Sequence, residues 1–274
     1  MTVLGVIPAR LGATRFPGKP LALLRGRPLL EHVWARAREC AAIDRLVIAT
    51  PDAAIADAAR AFGAECVMTS PDHASGTDRV AEAARILPPS EIVVNIQGDE
   101  PRIEPAAIAA AIEPLARTVD YRPGQPHSGG PVVPEMSTLA HVEHDADAFR
   151  SLDVVKVVTN PGGHAVYFSR AALGGRAASD GRVVPPAEGF LRHVGLYVYR
   201  AEALQQLANL RETPLERLER LEQLRALVFG IRIRVVITPY RSRGVDTPGD
   251  LAALERDWDL LTGIGTPDPK ESPR

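Results

Sequence analysis

The chain has 274 residues, 45% hydrophobic and 24% charged, with a formal net charge of −2. This length suits one large α/β unit or a unit with an insertion, and the near-neutral charge gives no reason to expect nucleic acid or an anionic membrane as a bulk partner. Any anion site must therefore be local. Aromatic residues make up only 5%, so the core must rest on Val, Ile, Leu and Ala. Cys40 and Cys66 have no CxxC spacing, which suits a reduced compartment. The N-terminus shows no basic n-region or cleavage site, and no stretch approaches the roughly 20 apolar residues that cross a bilayer. These features point to a cytoplasmic protein.

The first third alternates between two periodicities. "VLGVI" (3–7) predicts a buried strand and "LLEHVWARAREC" (29–40) a helix with Leu29, Leu30, Val33, Trp34 and Ala37 on one face. "RLVIAT" (45–50) predicts a second strand, and "AAIADAARAFG" (53–63) a second helix closed by Gly63. "ECVMT" (65–69), a helix near "TDRVAEAARIL" (77–87) and "EIVVNIQGDEP" (91–101) continue the pattern. Strands that are apolar throughout, not alternating, are buried on both faces. The fold class expected is therefore α/β, Rossmann-like, with a mostly parallel central sheet flanked by helices.

After a helix near "PAAIAAAIEPLA" (105–116) the pattern changes. The Pro/Gly-rich stretch 120–135 predicts an exposed loop or insertion. "MSTLAHV" (136–142), "VVKVV" (154–158), "HAVYFSR" (164–170) and "GLYVYR" (195–200) predict strands with fewer helices between them. Residues 136–200 are thus expected to form a smaller mixed subdomain over the open end of the sheet, within a single domain spanning 1–260. A helix over 214–228, a strand "IRIRVVIT" (231–238) and a last helix after "GVDTPGD" (244–250) follow. The tail 261–274 is expected to be disordered.

Chemistry concentrates where strands end. "GVIPARLGATRFPGKPL" (5–21) places Arg10, Arg15 and Lys19 on a stiffened turn after the first strand, where phosphate cradles form in open α/β sheets. It is not a Walker A loop, because Gly12 and Gly18 are five residues apart and Pro20 follows Lys19. "NIQGDEP" (95–101) puts Asp99 and Glu100 at the end of the strongest strand, where a carboxylate can hold Mg²⁺ beside phosphates. Gly-Asp alone is equally an ordinary turn. In "GVDTPGD", Thr247 suits an N-cap with Pro248 at the first helical position, which leaves Asp246 free. Ser75, Gly76 and Thr77 open a helix with Arg79 in its first turn; small residues admit a flat base, and capping explains them equally well. Arg192 and His193 precede an apolar strand. The spacing of His141, His144 and Asp145 is too weak to indicate a metal site. On the 214–228 helix, Glu216, Glu219 and Gln223 share a polar face opposite Leu215, Leu218 and Leu221. Solvation accounts for that face as well as function does.

In order along the chain, "IPAR…TRFPGKPL", "MTSPDHASGTDRVAE", "VNIQGDEP", "VVKVV", "AVYFSRA", "FLRHVGLYVYR", "PLERLERLEQLR" and "GVDTPGDL" resemble the CMP-Kdo synthetases, the 3-deoxy-manno-octulosonate cytidylyltransferases. The resemblance covers about residues 1–258. It implies that the anomeric hydroxyl of Kdo attacks the α-phosphorus of CTP, giving CMP-Kdo and pyrophosphate for lipopolysaccharide synthesis. Carried over by position, Arg10, Arg15 and Lys19 would hold the triphosphate. Ser75, Gly76 and Arg79, with Gln97 and the Ala9 backbone, would frame the nucleotide. Asp99 and Asp246 would bind Mg²⁺, and Asp99, Asp246, Lys19 and Arg15 would serve catalysis. Gln97, Arg170, His193, Glu216 and Gln223 would line the sugar pocket. The family also implies a homodimer. Three departures stand out. Ala13 replaces the usual Ser of the phosphate loop, "ALGGRAASDGRVVPPAEG" replaces an Ile-Pro segment with a further arginine, and 120–135 is extra. They leave open another 2-keto sugar acid as substrate, and a non-catalytic nucleotide-binding subunit is the rival from another class.

Overall fold

A computed structural model describes residues 1–12, 15–116, 134–179, 181–241 and 243–258. The predicted insertion falls almost wholly outside these residues, as do Ala13 and the tail 261–274.

Strand β1 (Val3–Pro8) leads through a 3-10 turn (Lys19–Leu21) and a small hairpin, β2 (Leu23–Leu24) and β3 (Arg27–Pro28), into α1 (Leu29–Ala37). Next come β4 (Arg45–Thr50), α2 (Ala53–Ala61), β5 (Glu65–Met68), α3 (Gly76–Ile86), β6 (Ile92–Asn95) and α4 (Pro105–Ala116). The middle holds β7 (Met136–Glu143), α5 (Ala146–Arg150), β8 (Lys156–Thr159), β9 (Ala165–Ser169), the hairpin β10 (Arg176–Ala177) and β11 (Val183–Val184), and β12 (Phe190–Arg200). The chain continues with α6 (Ala201–Asn209), α7 (Pro214–Glu219), α8 (Gln223–Val228), β13 (Ile233–Ile237) and α9 (Pro248–Asp257).

The main sheet runs β13-β7-β12-β6-β1-β4-β5, with β8 and β9 branching from β12. β1 pairs in parallel with β4 and β6, β4 with β5, and β13 with β7. β12 is antiparallel to both β6 and β7. Alternation along β1 explains why "VLGVI" is apolar throughout. Val3 and Ile7 face the core covered by α1, α2 and α4, while Leu4 and Val6 face the one covered by α3, α6 and α8. Full burial of each such side chain contributes about 1.5–3 kcal/mol. Gly5 completes the strand because a Cβ there would lie 2.8 Å from Leu46 Cδ1.

Two sequence expectations need correction. Residues 136–200 do not stand apart as a block, since β7 and β12 are inner strands of the main sheet, β8 and β9 branch from β12, and only the β10–β11 hairpin forms a separate small sheet. β12 is long enough, at 11 residues, to pair with β6 at one end and β8 at the other. The helix over 214–228 is two short helices. Arg220 adopts a left-handed conformation (φ 54°, ψ 48°), which ends α7 and turns the chain into α8. The expected faces do not hold: Glu216 and Gln223 are buried along with Leu221, whereas Leu215 and Leu218 are exposed.

Candidate active site

A cleft of about 690 Å³ opens beyond the carboxyl ends of β1 and β6, bounded by β12 and the start of α8. One end carries charge. After β6 the chain turns at Gly98 across the end of β1, where a Cβ would lie 3.2 Å from the Pro8 carbonyl oxygen. That close passage delivers Asp99 to the cleft. Asp246 arrives from the other side, immediately before α9. Thr247 caps α9 in a reciprocal box with Asp250, and Pro248 takes the first helical position. Because Thr247 does the capping, the Asp246 carboxylate is left to face Arg15 Nη2 at 3.1 Å. The two aspartates are fixed to one another by backbone, the Val245 N–H donating to the Asp99 carbonyl at 2.9 Å.

Lys19 lies between them. Its ammonium donates to Asp99 Oδ2 at 2.7 Å and to the Val245 carbonyl at 2.9 Å, and approaches Asp246 Oδ1 to 3.5 Å. The loop that presents it is braced at several points. Leu11 N–H donates to Asp52 Oδ2, and Gly18 (φ 73°) donates back to the Leu11 carbonyl. Phe16 packs against the cluster of Leu24, Leu29, Val245 and Leu254. Arg10 is exposed. The N–H of Ala9 is already used by the Ala49 carbonyl, so only its carbonyl is available to a ligand.

Two carboxylates converging on one cation suit a hard divalent ion that keeps several non-protein ligands, as Mg²⁺ does beside phosphates. Among the described residues no group of three or more His, Cys, Asp or Glu forms a complete cage. The two carboxylates alone would leave most of such an ion's ligands to substrate oxygens and water.

The rest of the cleft is polar and mixes neutral groups with the charged Asp153, Arg192, Arg220 and Glu222. His193 lines the cleft, and burial drives its pKa down to about 3. Thr138 Oγ1 gives its one hydrogen to the Leu196 carbonyl at 2.8 Å, so the His193 Nε2, 2.9 Å away, donates to Thr138. That leaves Nδ1 as the ring's acceptor. The same threonine serves the bulge in β12 between Val194 and Tyr197, where the ladder to β7 shifts register. Gln97 and Gln223 also line the cleft. Its wall at residues 153–155 is held by Lys156, which is fully buried and donates to the carbonyls of Ser151, Val154 and Arg170.

A neutral imidazole has a stability consequence. Between pH 6.5 and about 3 the unfolded chain binds a proton at His193 that the folded chain refuses, so stability present above pH 6.5 declines as pH falls through this window. His141, lowered to about 4 by burial and by Arg192, adds to the same slope. The urea midpoint should fall between pH 7 and 4.5, and fall less steeply in His193→Asn; an equal slope in the variant would contradict the assignment.

Some predicted residues stand elsewhere. Ser75 caps α3 in a reciprocal box with Asp78, so its hydroxyl is engaged, while Gly76 remains on the cleft wall. Arg79 is 2% exposed behind that wall, its Nε donating to Thr69 and its Nη2 without a partner among the described residues. Arg170 is turned from the cleft, held by the Glu219 and Leu152 carbonyls. Glu216 is also away from it. Its carboxylate takes Nε and Nη2 of Arg225 at 2.8 and 2.5 Å and completes a capping box with Thr213.

Sequence reasoning missed Glu222, Tyr197 and Arg220 and gave Arg192 no role, although all four are on the cleft wall. Glu222 accepts from Thr77 Oγ1 at 2.7 Å, and its carboxyl is raised by desolvation inside the cleft, opposed by the Thr77 hydrogen bond. A continuous-helix reading gives no sign of it, because only the break at Arg220 swings Glu222 and Gln223 inward together.

An open α/β sheet with a cation-rich loop and a carboxylate pair at its strand ends is the arrangement of a nucleotidyltransferase. The cytidylyltransferase family model matches residues 4–233. A 3-deoxy-manno-octulosonate cytidylyltransferase from Syntrophotalea carbinolica is 48% identical over 93% of this chain and 98% of its own length. One from Solibacter usitatus is 46% identical over 96% and 98%. A solved structure of CMP:2-keto-3-deoxy-manno-octonic acid synthetase complexed with CTP superimposes with a TM-score of 0.81 at 34% identity, covering 95% of this chain and 99% of that one. The chain belongs to the 3-deoxy-manno-octulosonate cytidylyltransferase family. A 4-diphosphocytidyl-2C-methyl-D-erythritol synthase from Anaerococcus prevotii shares the fold at 12% identity and a TM-score of 0.61.

Proposed function

We infer that this chain transfers CMP from CTP to the anomeric hydroxyl of Kdo, releasing pyrophosphate and supplying CMP-Kdo for lipopolysaccharide synthesis. The observation that carries this reading is the near full-length match to relatives of that name, at 48% identity, with Lys19 and the two aspartates at one end of the cleft. In the reaction the hydroxyl oxygen bonds to the α-phosphorus, its proton is lost, and the bond from the α-phosphorus to the bridging oxygen of pyrophosphate breaks. Such chemistry depends on positioning and charge neutralisation more than on a covalent intermediate.

Arg10, Arg15 and Lys19 hold the triphosphate, and Gly76 and the Ala9 carbonyl frame the nucleoside, with Arg79 bracing the wall from behind. Asp99 and Asp246 hold Mg²⁺, which when bound neutralises phosphate charge and lowers the pKa of the attacking hydroxyl. Gln97, His193 and Gln223 orient the sugar acid, with Nδ1 of neutral His193 accepting from a sugar hydroxyl. The enzyme acts in the cytoplasm as a homodimer; two unpaired cysteines and the exposed Leu215 and Leu218 are consistent with this. No helix among the described residues is long and apolar enough to cross a membrane.

A pyrophosphate-release assay with Mg²⁺, each of the four nucleoside triphosphates and a panel of 2-keto sugar acids tests the reading. Release is expected with CTP and Kdo. Release with a sialic acid instead would change the substrate, and none with any pair would favour a non-catalytic nucleotide-binding subunit.

A further inference from the structure

The charged end of the cleft raises a problem of occupancy. Lys19 Nζ is 2.7 Å from Asp99 Oδ2, 3.5 Å from Asp246 Oδ1 and 2.9 Å from the Val245 carbonyl, and its side chain is only 15% exposed. The ammonium therefore takes the place between the carboxylates that a divalent ion would need. Two cations cannot share it without strong repulsion, since like charges a few ångströms apart in a partly shielded site are poorly screened by water. A triphosphate changes the balance by giving the ammonium other oxygens to bind and giving the metal further ligands.

We propose that Lys19 is the resident counter-cation of the Asp99–Asp246 pair, and that a divalent ion enters this site only together with a triphosphate, which draws the ammonium off the carboxylates. The inference rests on the reading of these aspartates as the metal site and adds an order of events to it. Before substrate arrives, Lys19 offsets the repulsion between the two carboxylates that the backbone holds side by side. Metal and triphosphate then bind with positive coupling, each raising the other's affinity by the same factor. Arg15 is a weaker candidate, because its guanidinium reaches Asp246 from an exposed position, whereas the Lys19 ammonium lies against both carboxylates.

The test is Mn²⁺ binding to the nucleotide-free full chain, followed by loss of the free-ion electron paramagnetic resonance signal. Lys19→Met and Lys19→Gln are expected to bind Mn²⁺ at least about tenfold more tightly than wild type, from the charge removed next to the carboxylates. Lys19→Gln keeps a donor for the Val245 carbonyl and guards against a folding defect, and circular dichroism confirms equal folded fractions. Arg10→Met, which removes the same charge from the exposed start of the loop, should stay near wild type. Equal affinity in wild type and both Lys19 variants would overturn the proposal, as would an equal gain in Arg10→Met. Adding Asp99→Asn to Lys19→Met separates the two levels. Loss of the gain places the ion on Asp99, and persistence of the gain means the metal-site reading itself has failed.

Discussion

Asp99→Asn is expected to lower the rate of pyrophosphate release by at least about a hundredfold, the scale on which a group stabilising transition-state charge acts. Asp246→Asn should do the same. Asparagine retains the shape of the side chain and an oxygen for Lys19, and the Val245–Asp99 backbone bond that ties the two segments does not involve the side chain. The loss should therefore appear in turnover with the thermal midpoint changed little. Steady-state release with saturating CTP and Kdo measures it. Near-normal rates in both variants would remove the metal assignment.

Glu216→Ala is expected to have the largest effect on stability and almost none on the sugar site. The Glu216 and Arg225 side chains are 6% and 15% exposed. The Glu216 hydrogen bond raises the Arg225 pKa, against the opposing effect of burial. Removing the carboxylate strands a half-buried guanidinium and opens the capping box with Thr213, together costing about 3–5 kcal/mol. Urea unfolding reads that loss, while KM for the sugar acid should change less than about twofold, a difference worth under about 0.5 kcal/mol. A tenfold rise in KM with stability intact would instead return Glu216 to the sugar pocket. Gln223→Ala provides the contrast, because that side chain does line the cleft.

The two variants also mark where sequence reading stops. "PLERLERLEQLR" offers a regular amphipathic pattern, and a helix drawn through it assigns Glu216 and Gln223 to one face. The left-handed Arg220 separates them, and nothing in residue type announces it, since arginine has no preference for that conformation. Arg170 was misplaced for a related reason. Its position follows a strand pattern, but its direction is set by carbonyls of Glu219 and Leu152 from distant parts of the chain. By contrast, Asp246 was legible because Thr247, Pro248 and Asp250 make a complete helix start from four consecutive residues.

The sequence by itself determined what depends on near neighbours. The alternation of strand and helix, the burial of β1 on both faces, the caps of α3 and α9 and the bend at Gly98 all follow from hydrophobic period, capping chemistry and a missing Cβ. Contacts between remote segments were decided only by tertiary structure. Packing over the whole sheet set β12 antiparallel between β6 and β7, turned Glu222 and Gln223 into the cleft, and brought one ammonium from the first loop between aspartates from two others. Periodicity reports which face of an element is apolar, but not which remote element will meet it.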